Sequence, residues 1–460
     1  MHIPLSLSRL AALAALAALL PSQTWQLANP AHAPSAREGH AMAWDAGRQL
    51  TVLFGGYEWG ADVHFADTWE YDGVDWTRRQ LTGGPSARQQ AGMCYDEQRG
   101  VMVLFGGLRD NWFNNTFYGD TWEFDGVSWT QINTPTAPSP RFAPMAYDPV
   151  RGKVVLHGGT SPIGALSDTW EYDGANWTQR TAATVPPANY DCSLAFDRNR
   201  GRMVLQSSFI MGTPLPLQTW EWDGSNWSLA TYTTPPPSYP EMVITYDRHR
   251  GVIVLVGAGY TANAEAWEYD GSDWRLLRTL PQNTLSGHAL AYDERRGAVV
   301  SFGGEVASGM YIVATDATWE LGTVASCTPS GAGCAATGPI PTLGAAAGSA
   351  PRTGSTFVGE VGALQPQALP VLALGLSDTL WGSTALPMSL GLIGLPACSL
   401  RTSVDVALPL TNTAGTATWS LPIPASPFLH GVNLFAQALV TDAALQAQSV
   451  SNAVRLSIGR

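Results

Sequence analysis

The residues of this chain that could do chemistry fall at recurring positions. His40 and His288 each stand five residues before an aspartate that ends a short apolar run. Two imidazoles brought together could begin a copper or zinc site. Parallel segments place Ala91, Ala143, Cys192 and Met242 at the same position, a pattern that suits packed core histidines. Arg37, Arg88 and Arg141 precede three such runs, in PSAR, PSAR and SPR. Guanidinium groups side by side could grip a carboxylate bidentately, or each could tie neighbouring segments together. Asp67, Asp120 and Asp168, and the turn residues Asp72, Asp125, Asp173, Asp223 and Asp270, recur once per unit and read as turn formers, not as paired catalytic carboxylates. Two variable segments, YEWGADVHFA and LRDNWFNNTFYG, supply Tyr57, Trp59, Phe65, Trp112, Phe113, Phe117 and Tyr118 with Asn114 and Asn115. Rings with amides suit stacking on sugars or holding a peptide. The alternative is that the rings fold back onto their own domain. No acid, base and arginine assemble into a catalytic cluster, and no cofactor is implied.

These residues sit in a repeat. Thr-Trp-Glu recurs at Trp69, Trp122, Trp170, Trp220 and Trp319, with Ala-Trp-Glu at Trp267, about 50 residues apart. Five of the six continue as aromatic-Asp-Gly-x-x-Trp, as in EYDGVDW. Upstream lies a second block, as in HAMAWDAGRQLTVLFGG. Each unit reads as four short strands, the Asp-Gly turn joining the third to the fourth. Before the aspartate of the first strand, large and small residues alternate. Trp44 and Met42 lie on one face, Ala43 and Ala41 on the other. That alternation fits a strand crowded near the centre of a radial array.

With Gly55-Gly56, Gly106-Gly107, Gly158-Gly159 and Gly303-Gly304 closing the second strands, the repeats resemble the kelch family of β-propellers. Repeats four and five depart from the pattern at Gln206-Ser207 and Gly257-Ala258. The resemblance implies an all-β fold with a six-bladed kelch-like β-propeller. The sixth repeat lacks its fourth strand, and the segment Gln23-Thr24-Trp25-Gln26-Leu27 is the candidate to close the ring. In kelch domains, arginines placed like Arg37, Arg88 and Arg141 can line the channel mouth. Galactose oxidase contains such a propeller, but its copper set of two histidines, two tyrosines and a Tyr–Cys crosslink is not matched here. His157 stands where other units have the phenylalanine of LFGG and reads as strand filling.

The 460 residues are 13% charged with net charge −12, which argues against nucleic acid and anionic membrane surfaces. After residue 326 the charge balances: Arg352, Arg401, Arg455 and Arg460 against Glu360, Asp378, Asp405 and Asp442. That shift marks a second domain. Residues 1–22 read as a signal peptide, with Arg9 before an apolar run from Leu10 to Leu20. Cleavage near Ser22 is favoured over cleavage after Ala33, because it keeps Trp25 in the mature chain. No membrane span is expected there. The propeller covers 23–325, a Gly/Ala/Pro-rich linker and domain start 326–350, and a β-sandwich module 351–460. That module, through GAGC, LALGLS, GLPACSL, LFAQALV and SNAVRLSIG, resembles a C-terminal module of bacterial secreted proteins. The resemblance implies a Cys334–Cys398 disulfide, with Cys327–Cys334 as rival; Cys94 and Cys192 read as buried thiols. Three glycosylation-type strings begin at Asn114, Asn176 and Asn226, the last two inside the repeat motif.

The expected function is that of an exported, non-catalytic recognition protein at the cell surface or outside the cell. Its partner would be a glycan or an extracellular protein, bound through Tyr57, Trp59, Phe65, Trp112, Phe113, Asn114 and Tyr118 with Arg37, Arg88 and Arg141. The alternatives are a propeller enzyme acting on sugars, as an oxidase or isomerase, and a structural cell-envelope protein.

Overall fold

The computed structural model describes residues 24–110, 115–188, 191–210, 213–238, 242–257, 263–283, 286–308, 311–322, 326–330, 332–335, 339–381, 383–390, 395–425, 429, 432–442 and 447–459. Among them no α-helix occurs and the strands form many small antiparallel sheets. The chain divides into two units, Thr24–Leu321 and the part that includes Gly322–Arg460. The expected signal peptide lies outside the described residues.

In the first unit each repeat folds into one four-stranded sheet. Sheet one comprises Ala41–Asp45, Leu50–Phe54, Thr68–Tyr71 and Trp76–Arg78, hydrogen-bonded in that order. Sheets two to five repeat the order, beginning with Gly92–Asp96, Met145–Asp148, Asp191–Asp197 and Val243–Asp247. Sheet six holds Ala289–Asp293, Ala298–Phe302 and Thr318–Gly322, and its fourth strand is Thr24–Leu27 from the other end of the unit. The first strands of consecutive sheets pack side by side, and Ala289–Asp293 packs against Ala41–Asp45.

Local chemistry explains the hairpins. In the Asp-Gly turn of sheet one, Asp72 Oδ1 accepts from the backbone N–H of Val74 and Asp75 at 2.8 and 2.9 Å. Gly73 takes φ 94° there, and any Cβ on it would collide with the Arg296 guanidinium of sheet six.

The sheets are stitched to one another by aromatic side chains. The Trp129 indole N–H of sheet two donates to Thr68 Oγ1 of sheet one at 3.0 Å. Trp76, Trp177, Trp227 and Trp274 likewise donate to Thr318, Thr121, Thr169 and Thr219 at 2.9 to 3.1 Å. The tyrosines that end the first strands reach the preceding sheet. The hydroxyls of Tyr95, Tyr147 and Tyr246 accept from the N–H of Gly47, Gln98 and Asn199. The large face of the first strand is thus the inter-sheet contact. Asn176 and Asn226 have internal roles too: their Oδ1 atoms accept from the N–H of Thr136 and Thr184 at 2.9 Å.

The second unit builds its main core between two sheets. The larger runs Ser326–Ser330, Ala447–Ser457, Asn433–Thr441, Leu369–Gly375, Val406–Pro409, with Cys334–Ala335 pairing Ala447–Ser457 off that path. The smaller is Thr342–Ala345, Thr356–Gly362, Ala417–Pro422. Phe357, Val361, Leu372, Trp419, Ala436 and Leu456 share the core. The stretch expected as linker and domain start therefore contributes strands to both sheets. Cys334 and Cys398 are disulfide-bonded; Cys94 is a buried thiol, and Cys192 is only half-buried. Burial pushes the Cys94 thiol well above its usual range.

Candidate functional site

The three arginines lie inside the fold and not on a rim. Arg37, Arg88 and Arg141 are at most 2% exposed. Arg88 Nη1 donates to Gly106 O at 2.9 Å and to Asp120 Oδ1 at 2.6 Å, and Nη2 to Asp120 Oδ2 at 2.9 Å. Its Nε donates to Ser86 O. Arg37 makes the same bidentate pair with Asp67 and donates to Gly55 O; Arg141 pairs with Asp168 and donates to Gly158 O. Each guanidinium ties the segment before a first strand to the Gly-Gly bend and the third strand of the same sheet. Burial raises the Asp67, Asp120 and Asp168 carboxyls, but the paired guanidinium overrides it and holds all three below the usual range. These aspartates do more than form turns.

Two expected binding rings are part of these anchors. Arg37 lies over the Phe65 ring and Arg88 over the Tyr118 ring, both at 3.9 Å from the centroid. Phe65 and Tyr118 are half-buried, which is the fold-back alternative. Tyr57 is buried, but it leads outward: its ring meets Trp59 edge-on at 6.1 Å, and Trp59 is 56% exposed. On its other side Tyr57 lies 4.4 Å from the His64 ring. Tyr57 and His64 face each other across a short hairpin, Tyr57–Glu58 with Val63–His64. His64 Nε2 hydrogen-bonds Asp110 of the second repeat at 2.9 Å, and Gln89 Nε2 donates to the same carboxylate at 2.8 Å. Burial, then the Asp62 carboxylate, pushes the Tyr57 phenol up to about 12. Trp112, Phe113 and Asn114 lie outside the described residues.

A cavity of about 400 Å³ is lined by the first strands of all six sheets. His40 and His288, both buried, stand on its wall. His40 packs edge-on against Phe302 of sheet six at 5.4 Å, and neither of its ring nitrogens has a hydrogen-bond partner among the described residues. Burial, with Arg37 and His288 adding to it, pushes the His40 imidazole down to about 3, so it is neutral at pH 7. Among the described residues no three or more His, Cys, Asp or Glu converge as metal ligands. His157 lies against Trp227, with Nδ1 3.0 Å from Thr169 Oγ1. Glu97, Arg198 and Glu294 also line the cavity; Glu97 pairs with Arg198, and Glu294 with Arg248.

A second charge system had not been anticipated. In every sheet the aspartate ending the first strand is followed three residues later by an arginine, which also reaches the glutamate of the Trp-Glu motif. In sheet two, Arg99 bonds Asp96 and Glu123; in sheet six, Arg296 bonds Asp293 and Glu320. Tyr71 of sheet one and Tyr172 of sheet three donate their hydroxyls to Glu320 and Glu123 of the preceding sheets, so the system crosses the seams. Its signal, Asp-x-x-Arg once per repeat in all six, is printed in the chain. Compared with known proteins, the chain matches no family model and no curated sequence.

Proposed function

We propose that Thr24–Leu321 is a six-bladed kelch-like propeller, closed by its N-terminal strand, and that the protein is an exported, non-catalytic recognition protein for glycans. Six sheets of one strand order, first strands packed in sequence from sheet one to six and back, and Thr24–Leu27 beside Thr318–Gly322 support the propeller. The disulfide is compatible with export, as is the fact that no helix among the described residues is long and apolar enough to cross a membrane.

The observation that carries the glycan reading is the line of rings at the first and second sheets. An exposed indole, Trp59, is backed by Tyr57 and then by His64, itself held by Asp110 of the next repeat. An exposed aromatic on a braced hairpin is a preorganised surface for stacking on a sugar ring. The structural, cell-envelope reading draws on a different observation: Phe65 and Tyr118 are occupied by arginines.

A glycan-array screen of the mature protein beside Trp59→Ala and Trp112→Ala variants tests the proposal. Binding that Trp59→Ala weakens at least tenfold is the expected result. Silence on every glycan removes this reading and favours the structural one.

A further inference from the structure

The seam between the first and second sheets differs from its neighbours. In sheets one, three, four and five the residue before the second tryptophan pins the connection that precedes its sheet. Asn176 accepts from Thr136 N, Asn226 from Thr184 N, and Asp273 from Thr233 N and Thr234 N; Asp75 accepts from His32 N. Sheet two has Ser128 at this position, and among the described residues no N–H of residues 79–87 reaches its side chain. That connection contains Gly83 and Gly84 at φ 85° and 134°. A cleft of about 290 Å³ opens here, walled by Phe65 and Trp129, with His64, Arg78, Arg79 and Gln80 along it.

The cleft has the volume of the smallest ligand pockets, roughly 300 Å³. Its charge is unusual for so acidic a chain. Arg79 is occupied, donating to Gly126 O at 3.0 Å and lying 3.5 Å from Glu70. Arg78 beside it is exposed, and neither Arg78 nor Gln80 has a hydrogen-bond or ion-pair partner among the described residues. One wall therefore carries Arg78 and the Gln80 amide; the other carries Phe65 and Trp129, with the Asp67 carboxylate among them already paired with Arg37, so Arg78 is the charge left for a ligand. His64 ends the cleft and joins it, through Tyr57, to the exposed Trp59.

We propose that this cleft takes an acidic sugar residue of an oligosaccharide, its carboxylate paired with Arg78 and its ring against the aromatic wall. The inference rests on the glycan reading and narrows it to uronate-type ligands. A carboxylate can accept two parallel N–H bonds from a guanidinium, which a neutral sugar cannot match.

Calorimetric titration of the full chain with an oligogalacturonate and with its methyl ester tests this. The acid is expected to bind at least tenfold tighter than the ester. Arg78→Gln should remove about that tenfold for the acid and leave the ester unchanged, and Gln80→Trp, which fills the cleft, should weaken both. Both positions are exposed, so folding is not at stake. Equal binding of acid and ester overturns the acidic-sugar assignment and leaves the glycan reading standing. No binding of any saccharide overturns both. Acid binding that neither variant weakens places the site elsewhere and overturns the inference. Equal affinity for a glutamate-rich peptide reduces it to simple charge capture and overturns it as well.

Discussion

Sheets one to three and sheets four to six share a strand order but differ in how each holds its third strand. In the first three, an arginine and an aspartate occur together, and the aspartate also accepts the indole N–H of the motif tryptophan. Asp67, Asp120 and Asp168 receive Trp69, Trp122 and Trp170 at 2.7 to 2.8 Å. In the last three the arginine is absent and the aspartate has been replaced. Gln218 accepts from Trp220 at 3.1 Å and Glu265 from Trp267 at 2.8 Å. The Ala317 side chain can accept nothing, and the Trp319 indole nitrogen is buried without a partner among the described residues. A buried guanidinium is kept only where its carboxylate is also kept, because one without the other costs far more than losing both. The indole cap tolerates a neutral acceptor, because its loss costs only one hydrogen bond.

Breaking the anchor in each half should therefore have unequal effects. Arg88→Met leaves Asp120 as a partly buried charge and should cost about 3–5 kcal/mol. Adding Asp120→Leu should restore much of that loss. Gln218→Ala in sheet four removes a neutral hydrogen bond and should cost about 1 kcal/mol. Urea unfolding of the three variants measures the difference. Equal costs for Arg88→Met and Gln218→Ala would erase the distinction between the halves.

Acid should reach the anchored half first. His40 lies near Arg37 and Asp67, and His157 near Arg141 and Asp168; burial dominates in both and pushes them down to about 3 and about 4. Each is lower in the folded than in the unfolded chain, so the unfolded chain binds the extra proton as pH falls from about 6.5. Stability is then full above pH 6.5 and declines by on the order of 1.4 kcal/mol per pH unit for each histidine until its folded value is reached. The paired aspartates, also lowered, add their loss only below about pH 4. Sheets one, two and six carry Phe54, Phe105 and Phe302 where sheet three has His157, so His157→Phe fits the site. Unfolding free energies between pH 6 and 4.5 should lose one proton's worth of slope in that variant. An unchanged slope would mean that His157 is not titrating with unfolding.

Much of this architecture is written locally. Alternation before each strand-end aspartate, Gly-Gly bends and Asp-Gly turns are short-range signals, and they mark five complete units and an incomplete sixth. The partners of individual side chains are not local. Trp129 and Thr68 meet across a seam, and nothing in either repeat alone names the other. Arg37, Arg88 and Arg141 allow both a rim and a tie on residue type. Only the position of Asp67, Asp120 and Asp168 beside the Gly-Gly carbonyls decides for the tie. The cleft at Arg78 was not legible, because it arises from a missing pin at Ser128. An absence is read only by comparing seams.

The smallest effect tests the seam rule itself. Five tryptophans donate across a seam to a threonine that is at most 2% exposed. The sixth would be Trp25 of the closing strand, but the fifth repeat has Ala266 where the others have threonine. Ala266 is fully buried in the cluster against which Trp25 packs, and Trp25 Nε1 is buried without a hydrogen-bond partner among the described residues. Ala266→Thr should supply the missing acceptor and stabilise the unit by about 1 kcal/mol. A rise of a few degrees in the unfolding temperature is expected. The same substitution combined with Trp25→Phe, which has no N–H to donate, should lose that gain. If Ala266→Thr stabilises equally in both backgrounds, the new side chain acts by packing alone and the closing seam does not follow the rule of the other five.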